Sequence, residues 1–266
     1  MRSKHILVSS CLLTLFACMK YEPPLTRAER TIIHCIENMP FECRGEPPQW
    51  ASFFRADIDG QTYCVSTADE HYSFSVTTVT GHTTPASDPV LRPDSPTMYR
   101  SVGFRLSPQL RHSGVVPYEF LPRVSLRIPN EYDTTSHPRH YYVDKHLPRQ
   151  GDLPLKEQIF DEQGFHLDVF WSCYHLPNYH YHLERSNHPG EIPFETVGFE
   201  SRRQAGSRNV RLWVERFERE ELNDYDIYYR IVFRFEGSFG YRQKGFPNVE
   251  VRDGVYDINF VLPKEE

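Results

Sequence analysis

The segment CYHLPNYHYHLE, residues 173–184, carries three histidines, His175, His180 and His182. Successive side chains of a strand point to opposite faces, so His180 and His182 share one face there. Two imidazoles so placed, with a third nearby, form a donor set for Zn²⁺ or Cu²⁺, and the chemistry such a centre supports is metal-assisted hydrolysis. Two features weigh against it. Thirteen histidines make clustering by chance common in this chain, and the interleaved Tyr174, Tyr179 and Tyr181 suit an exposed aromatic strand or loop whose imidazoles are simply solvated.

Tyrosines suggest a second chemistry. A flat ring covers the apolar face of a pyranose while adjacent polar groups fix its hydroxyls. Tyr141, Tyr142, Tyr174, Tyr179 and Tyr181 lie in or beside long polar stretches and are the candidate platform for a glycan. The plainer reading is that these rings cover strand surfaces.

Other signatures of catalysis do not appear. Gly237-Ser238-Phe239-Gly240 is not the G-x-S-x-G of a nucleophile elbow and is expected to mark a bend or bulge between strands. There is no HExxH, Walker loop or dinucleotide fingerprint, so no cofactor is implied. Glu215, Glu218, Glu220 and Glu221 alternate with Arg216 and Arg219, which reads as a solvated strand end and turn and not as a glycosidase pair.

The N-terminus is more specific. Arg2 and Lys4 precede an apolar run from Ile6 to Phe16, the layout of an export signal. As a helix that run would reach about 16 Å, roughly half of a ~30 Å hydrocarbon core, so it is too short to span. Leu15, Phe16, Ala17 and Cys18 resemble the lipobox of bacterial lipoproteins, with Phe16 bulkier than usual for its place. The resemblance implies cleavage after Ala17 and lipidation of Cys18. Acyl chains contribute about 0.8 kcal/mol per buried methylene, so several hold a protein at a membrane where one would not.

Cleavage after residue 17 of 266 leaves 249 and removes Arg2 and Lys4, taking the formal charge from −6 to −8. An acidic chain with scattered basic residues is a poor nucleic-acid partner. Cys35, Cys43, Cys64 and Cys173 would then meet an oxidising envelope; four thiols permit three complete pairings. Alternation in Gln61 to Thr67 sets Cys64 on the face opposite Tyr63 and Val65, and the expected clip joins Cys35 or Cys43 to Cys64. Cys173 shares parity with Phe165, Leu167, Val169 and Trp171, which suits a buried free thiol.

These candidates need a scaffold, and the period of the chain says which. Thr26 and Glu29 form a capping box for a short N-terminal helix to about Asn38. Thereafter the period is two. Phe54, Ala56 and Ile58 lead through Asp59-Gly60 into Gln61 to Thr67, a hairpin signal. Alternating runs follow at Tyr72–Thr77, Val102–Leu106, Val124–Ile128, Phe165–Trp171, Val210–Phe217 and Ile227–Phe235. Val249–Arg252 and Val255–Leu262 flank Asp253-Gly254, read as a second hairpin. Thr80–Thr97 and Pro129–Lys156 read as long polar loops. The expected fold is all-β, a mainly antiparallel β-sandwich or open barrel with a short N-terminal helix.

A Phe-x-Ala-x-x-x-Gly strand-turn at Phe54, Ala56 and Gly60, and a Gly-x-Tyr-Asp strand at Gly254, Tyr256 and Asp257, resemble the two ends of uncharacterised all-β lipoproteins of Bacteroidota. That resemblance implies the fold and an outer-membrane location, and no activity. The division expected is a signal peptide at 1–17, a lipidated tether with a short helix at 18–48, and a β domain at 49–266. The functional expectation is a non-enzymatic, lipid-anchored binding or structural module of the cell envelope. Its partners would be the membrane and an envelope protein or glycan. A surface glycan-binding accessory protein and a metal-dependent hydrolase are the alternatives.

Overall fold

Alternation of apolar and polar residues becomes strand throughout the computed structural model. It describes residues 47–68, 72–83, 97–108, 123–132, 137–157, 163–172, 196–241 and 248–265. The first hairpin is β1 (Phe53–Ile58) and β2 (Gln61–Ser66). Its turn residues Asp59 and Gly60 have φ of 51° and 83°, as the dipeptide predicts. There follow β3 (Tyr72–Thr83), β4 (Thr97–Pro108), β5 (Arg123–Arg127), β6 (Gly151–Asp152), β7 (His166–Ser172), β8 (Thr196–Glu200), β9 (Arg208–Glu221), β10 (Asp226–Tyr241) and β11 (Val249–Pro263).

The strands join in the order β2-β1-β11-β10-β8-β7-β5-β4-β3, with β9 paired to β10 and β6, and every ladder is antiparallel. This is an open sheet. Strand β10 is its pivot: residues up to Phe239 pair with β9 and β11, and Gly240 and Tyr241 pair with β8. The change of partner follows a bulge at Gly237, where the register of both flanking ladders shifts, so the bend expected of the Gly-Ser-Phe-Gly segment is present inside a continuous strand.

Rings from distant strands meet in one core. Phe104 of β4 packs 5.2 Å from Phe260 of β11 and 6.4 Å from Phe233 of β10, and Phe74 of β3 lies 5.7 Å from Phe260. Phe54, Ala56 and Ile58 of β1, and Leu126 of β5, complete the same buried cluster.

Two expectations need correction. Asp253-Gly254 is not a turn, because Val249–Pro263 is one strand paired with β10 on both sides of Arg252 and Asp253. The positive φ of Asp253, 49°, serves a bulge against β1, where Arg55 faces Val255 but Asp57 faces Arg252. Second, Pro129–Lys156 is not one loop. It contains α1 (Arg139–His146), which buries Tyr142 and Val143. A helix this short is held by such packing and not by its own propensity. The Glu/Arg run is the exposed end of β9, as read, strand up to Glu221 with its charges paired in Arg234–Glu215 and Arg219–Glu221. Among the described residues no helix is long and apolar enough to cross a membrane. The capping-box segment at 26–38 lies outside the described residues.

Candidate functional site

Strand β7 begins His166-Leu167-Asp168, and its two faces have different company. Leu167 and Val169 enter the core, leaving His166 and Asp168 on the other side. Register carries that polar side across the sheet. Ser75, Arg105, Ser125, Asp168 and Glu200 oppose one another in turn on β3, β4, β5, β7 and β8. An antiparallel sheet commonly leaves such a face in water. Here it does not: His166 is 2 % exposed, Asp168 0 %, Glu200 3 % and the neighbouring Arg202 6 %.

Four ionisable groups therefore meet in one dry place. His166 Nε2 lies 2.7 Å from Asp168 Oδ1 and 3.5 Å from Glu200 Oε2, and Arg202 donates to that same Glu200 oxygen. Backbone and hydroxyl contacts fix the frame: Leu167 N donates to Ser201 Oγ at 3.0 Å, and Ser207 Oγ donates to the Glu200 carbonyl at 2.5 Å. Burial alone would raise the Glu200 carboxyl, but the close approach of His166 and the hydrogen-bonded Arg202 guanidinium overrule it and hold the group down at about 2.

Placing ions out of water costs several kcal/mol each, recovered only through close opposite charge and further hydrogen bonds. With His166 protonated, two positive and two negative groups balance. With His166 neutral, the same three donor atoms, all within 4.8 Å of one another, can surround a cation. The arrangement thus has two chemical uses, an ion-pair staple between β7 and β8 or a cation site. A second feature is an open hollow of about 650 Å³ beside β9, lined by Arg149, Phe217, Glu218, Arg219, Glu220 and Tyr228. Its charges are of both signs, and Arg149 stacks 4.3 Å above the Phe217 ring.

Of the candidate site residues singled out in the sequence, Tyr141, Tyr142 and Cys64 are described, and none belongs to this cluster. Tyr142 is buried in the core, and Tyr141 stacks on His137 at 3.9 Å while its hydroxyl accepts from Lys145 at 2.9 Å. Neither forms an open shelf. Cys64 is half-buried on β2, on the face away from the buried Tyr63 and Val65, as alternation predicts. Cys18, Cys35, Cys43, Tyr174, Tyr179, Tyr181, His175, His180 and His182 lie outside the described residues. The buried cluster itself was missed. Its signal was His-x-Asp on one face of a strand whose other face is apolar, and nothing local distinguishes that from a wet face.

Comparison with known proteins adds no relative: no family model, curated protein or solved structure matches this chain.

Proposed function

We propose that this is a lipid-anchored protein of the bacterial cell envelope, serving there as a non-enzymatic binding or structural module, with its β domain held on a tether at the outer membrane. The observation that carries the reading is Leu15-Phe16-Ala17-Cys18 placed directly after a positively charged, apolar segment too short to span a bilayer. Closure of the bent sheet as a two-layer sandwich belongs to the same proposal, supported by the ring contacts from β4 to β10 and β11. So does a disulfide from Cys64 to Cys35 or Cys43, which would pin the tether to β2 in an oxidising compartment.

Metabolic labelling with palmitate tests the anchor. The full chain should take up label and sediment with membranes, and Cys18→Ala should abolish both. Label that survives Cys18→Ala, or an unlabelled wild-type chain released from cells, overturns the reading.

A further inference from the structure

We propose that His166, Asp168 and Glu200 form a binding site for one divalent transition-metal cation of the zinc class, independent of the histidine patch at 175–182 and of the lipid anchor. One imidazole nitrogen and two carboxylate oxygens are a donor set that suits Zn²⁺, whereas Mg²⁺ and Ca²⁺ prefer oxygen alone and Cu⁺ prefers sulfur.

Two observations carry this beyond a cluster of charges. First, the two separations from His166 Nε2 are close to those of a metal centre. Bonds of about 2.0–2.1 Å in tetrahedral geometry set donor atoms about 3.3 Å apart. His166 Nε2 and Glu200 Oε2 are 3.5 Å apart; the 2.7 Å His166–Asp168 edge has to open by about half an ångström, within reach of a side-chain torsion. Second, His166 Nε2 is buried and makes no well-directed hydrogen bond, although carboxylate oxygens lie 2.7 and 3.5 Å from it. A buried imidazole nitrogen that makes no directed bond, with two carboxylate oxygens beside it, has its lone pair available to a cation shared by all three.

The frame is stiff enough to hold such an ion. His166 and Asp168 share one strand face, Glu200 stands opposite Asp168 in the β7–β8 ladder, and Arg202 holds the Glu200 carboxylate from outside the donor set. Among the described residues the protein supplies three donors of a tetrahedral set. The form of His166 that coordinates is the neutral imidazole, with the two carboxylates supplying the charge that balances the cation.

The test uses the full chain, extracted in detergent, stripped with chelator and titrated with Zn²⁺ alone. One equivalent should bind and survive dialysis, and the thermal midpoint should rise with zinc concentration. Asp168→Asn and Glu200→Gln keep the shape of the site and should each weaken binding at least 10-fold, while a His180→Ala, His182→Ala double variant should bind as wild type. X-ray absorption of the zinc-loaded wild type is the check should those variants fail to fold. One nitrogen and two carboxylate oxygens at about 2.0–2.1 Å support the site, and a shell of several imidazoles overturns it. A folded wild-type chain that takes up no zinc, or zinc lost only in the double-histidine variant, also overturns it and leaves the cluster as an ion-pair staple. The lipid-anchor reading is untouched by either result.

Discussion

Two glycines separate backbone demand from packing demand. Gly60 sits at φ 83° with open space where a Cβ would go, so Gly60→Ala brings only the left-handed strain, about 1–2 kcal/mol. At Gly254 a Cβ would lie 2.5 Å from the Phe235 carbonyl oxygen and closer still to its ring. That neighbour is backbone in the middle of a ladder and does not yield. Gly254→Ala should therefore cost more, about 1–3 kcal/mol from overpacking with added loss of β10–β11 pairing, read as the difference between the two variants in urea midpoints. Equal losses would mean that the β11 bulge gives way easily. Tyr229 makes the other case at this scale. Burial, then the charge of Asp144, push its hydroxyl up to about 12 from the ordinary 10, and it donates to Asp144 Oδ2 at 3.1 Å. A raised folded value means that the folded state keeps the proton longer than the unfolded one. The contribution is whole below pH 10 and is lost as pH climbs from 10 through 12, at most roughly 2–3 kcal/mol. Tyr241, raised to about 12 mainly by burial, adds to the same slope. Stability measured by denaturant between pH 8 and 12 should fall over that window, and Tyr229→Phe should flatten the fall; an unchanged slope would remove Tyr229 from the account.

At the scale of elements, most strands were legible because their period of two comes from a half-buried sheet. Ile227, Tyr229, Ile231, Phe233 and Phe235 read as one face in the sequence and are one buried face of β10. What was not legible depends on partners far along the chain. Asp253-Gly254 has the composition of a turn, and only the pairing with β10 that resumes on its far side decides that it is a bulge. Tyr142 and Val143 show no strand period, and α1 exists because Tyr142, Val143 and Leu147 find the core while Asp144 meets Arg219 and Tyr229. The candidate site was hidden for a related reason. His166 and Asp168 alternate with Leu167 as a solvated face would, and their burial is set by neighbours that the local pattern does not name. A polar face predicts orientation relative to the core and does not predict exposure to water.

For the whole molecule, the question is whether the part of the sheet built on β3, β4, β5, β7 and β8 and the part built on β1, β2, β9, β10 and β11 unfold together. Among the described residues, backbone pairing links them at Gly240↔Glu200 and Tyr241↔Phe199 and at the Leu155↔Phe165 bridge that ties the segment after β6 to the start of β7, a narrow seam. Side chains link them more broadly, and Phe104 is central. It is fully buried on β4, with ring contacts to Phe233 on β10 and Phe260 on β11, so removing it opens a cavity that both parts line. Phe→Ala at such a site costs about 3–5 kcal/mol. At 2–4 °C per kcal/mol for a domain of this size, the midpoint should drop by roughly 6–20 °C. Because the cavity belongs to both parts, calorimetry of Phe104→Ala should still give a single transition, its calorimetric and van't Hoff enthalpies equal, with hydrogen-exchange protection falling alike in β4, β5 and β7 and in β10 and β11. Two resolved transitions, with β10 and β11 keeping wild-type protection, would mean that the seam and not the shared core sets cooperativity, and that the two parts are separate folding units joined by one long strand.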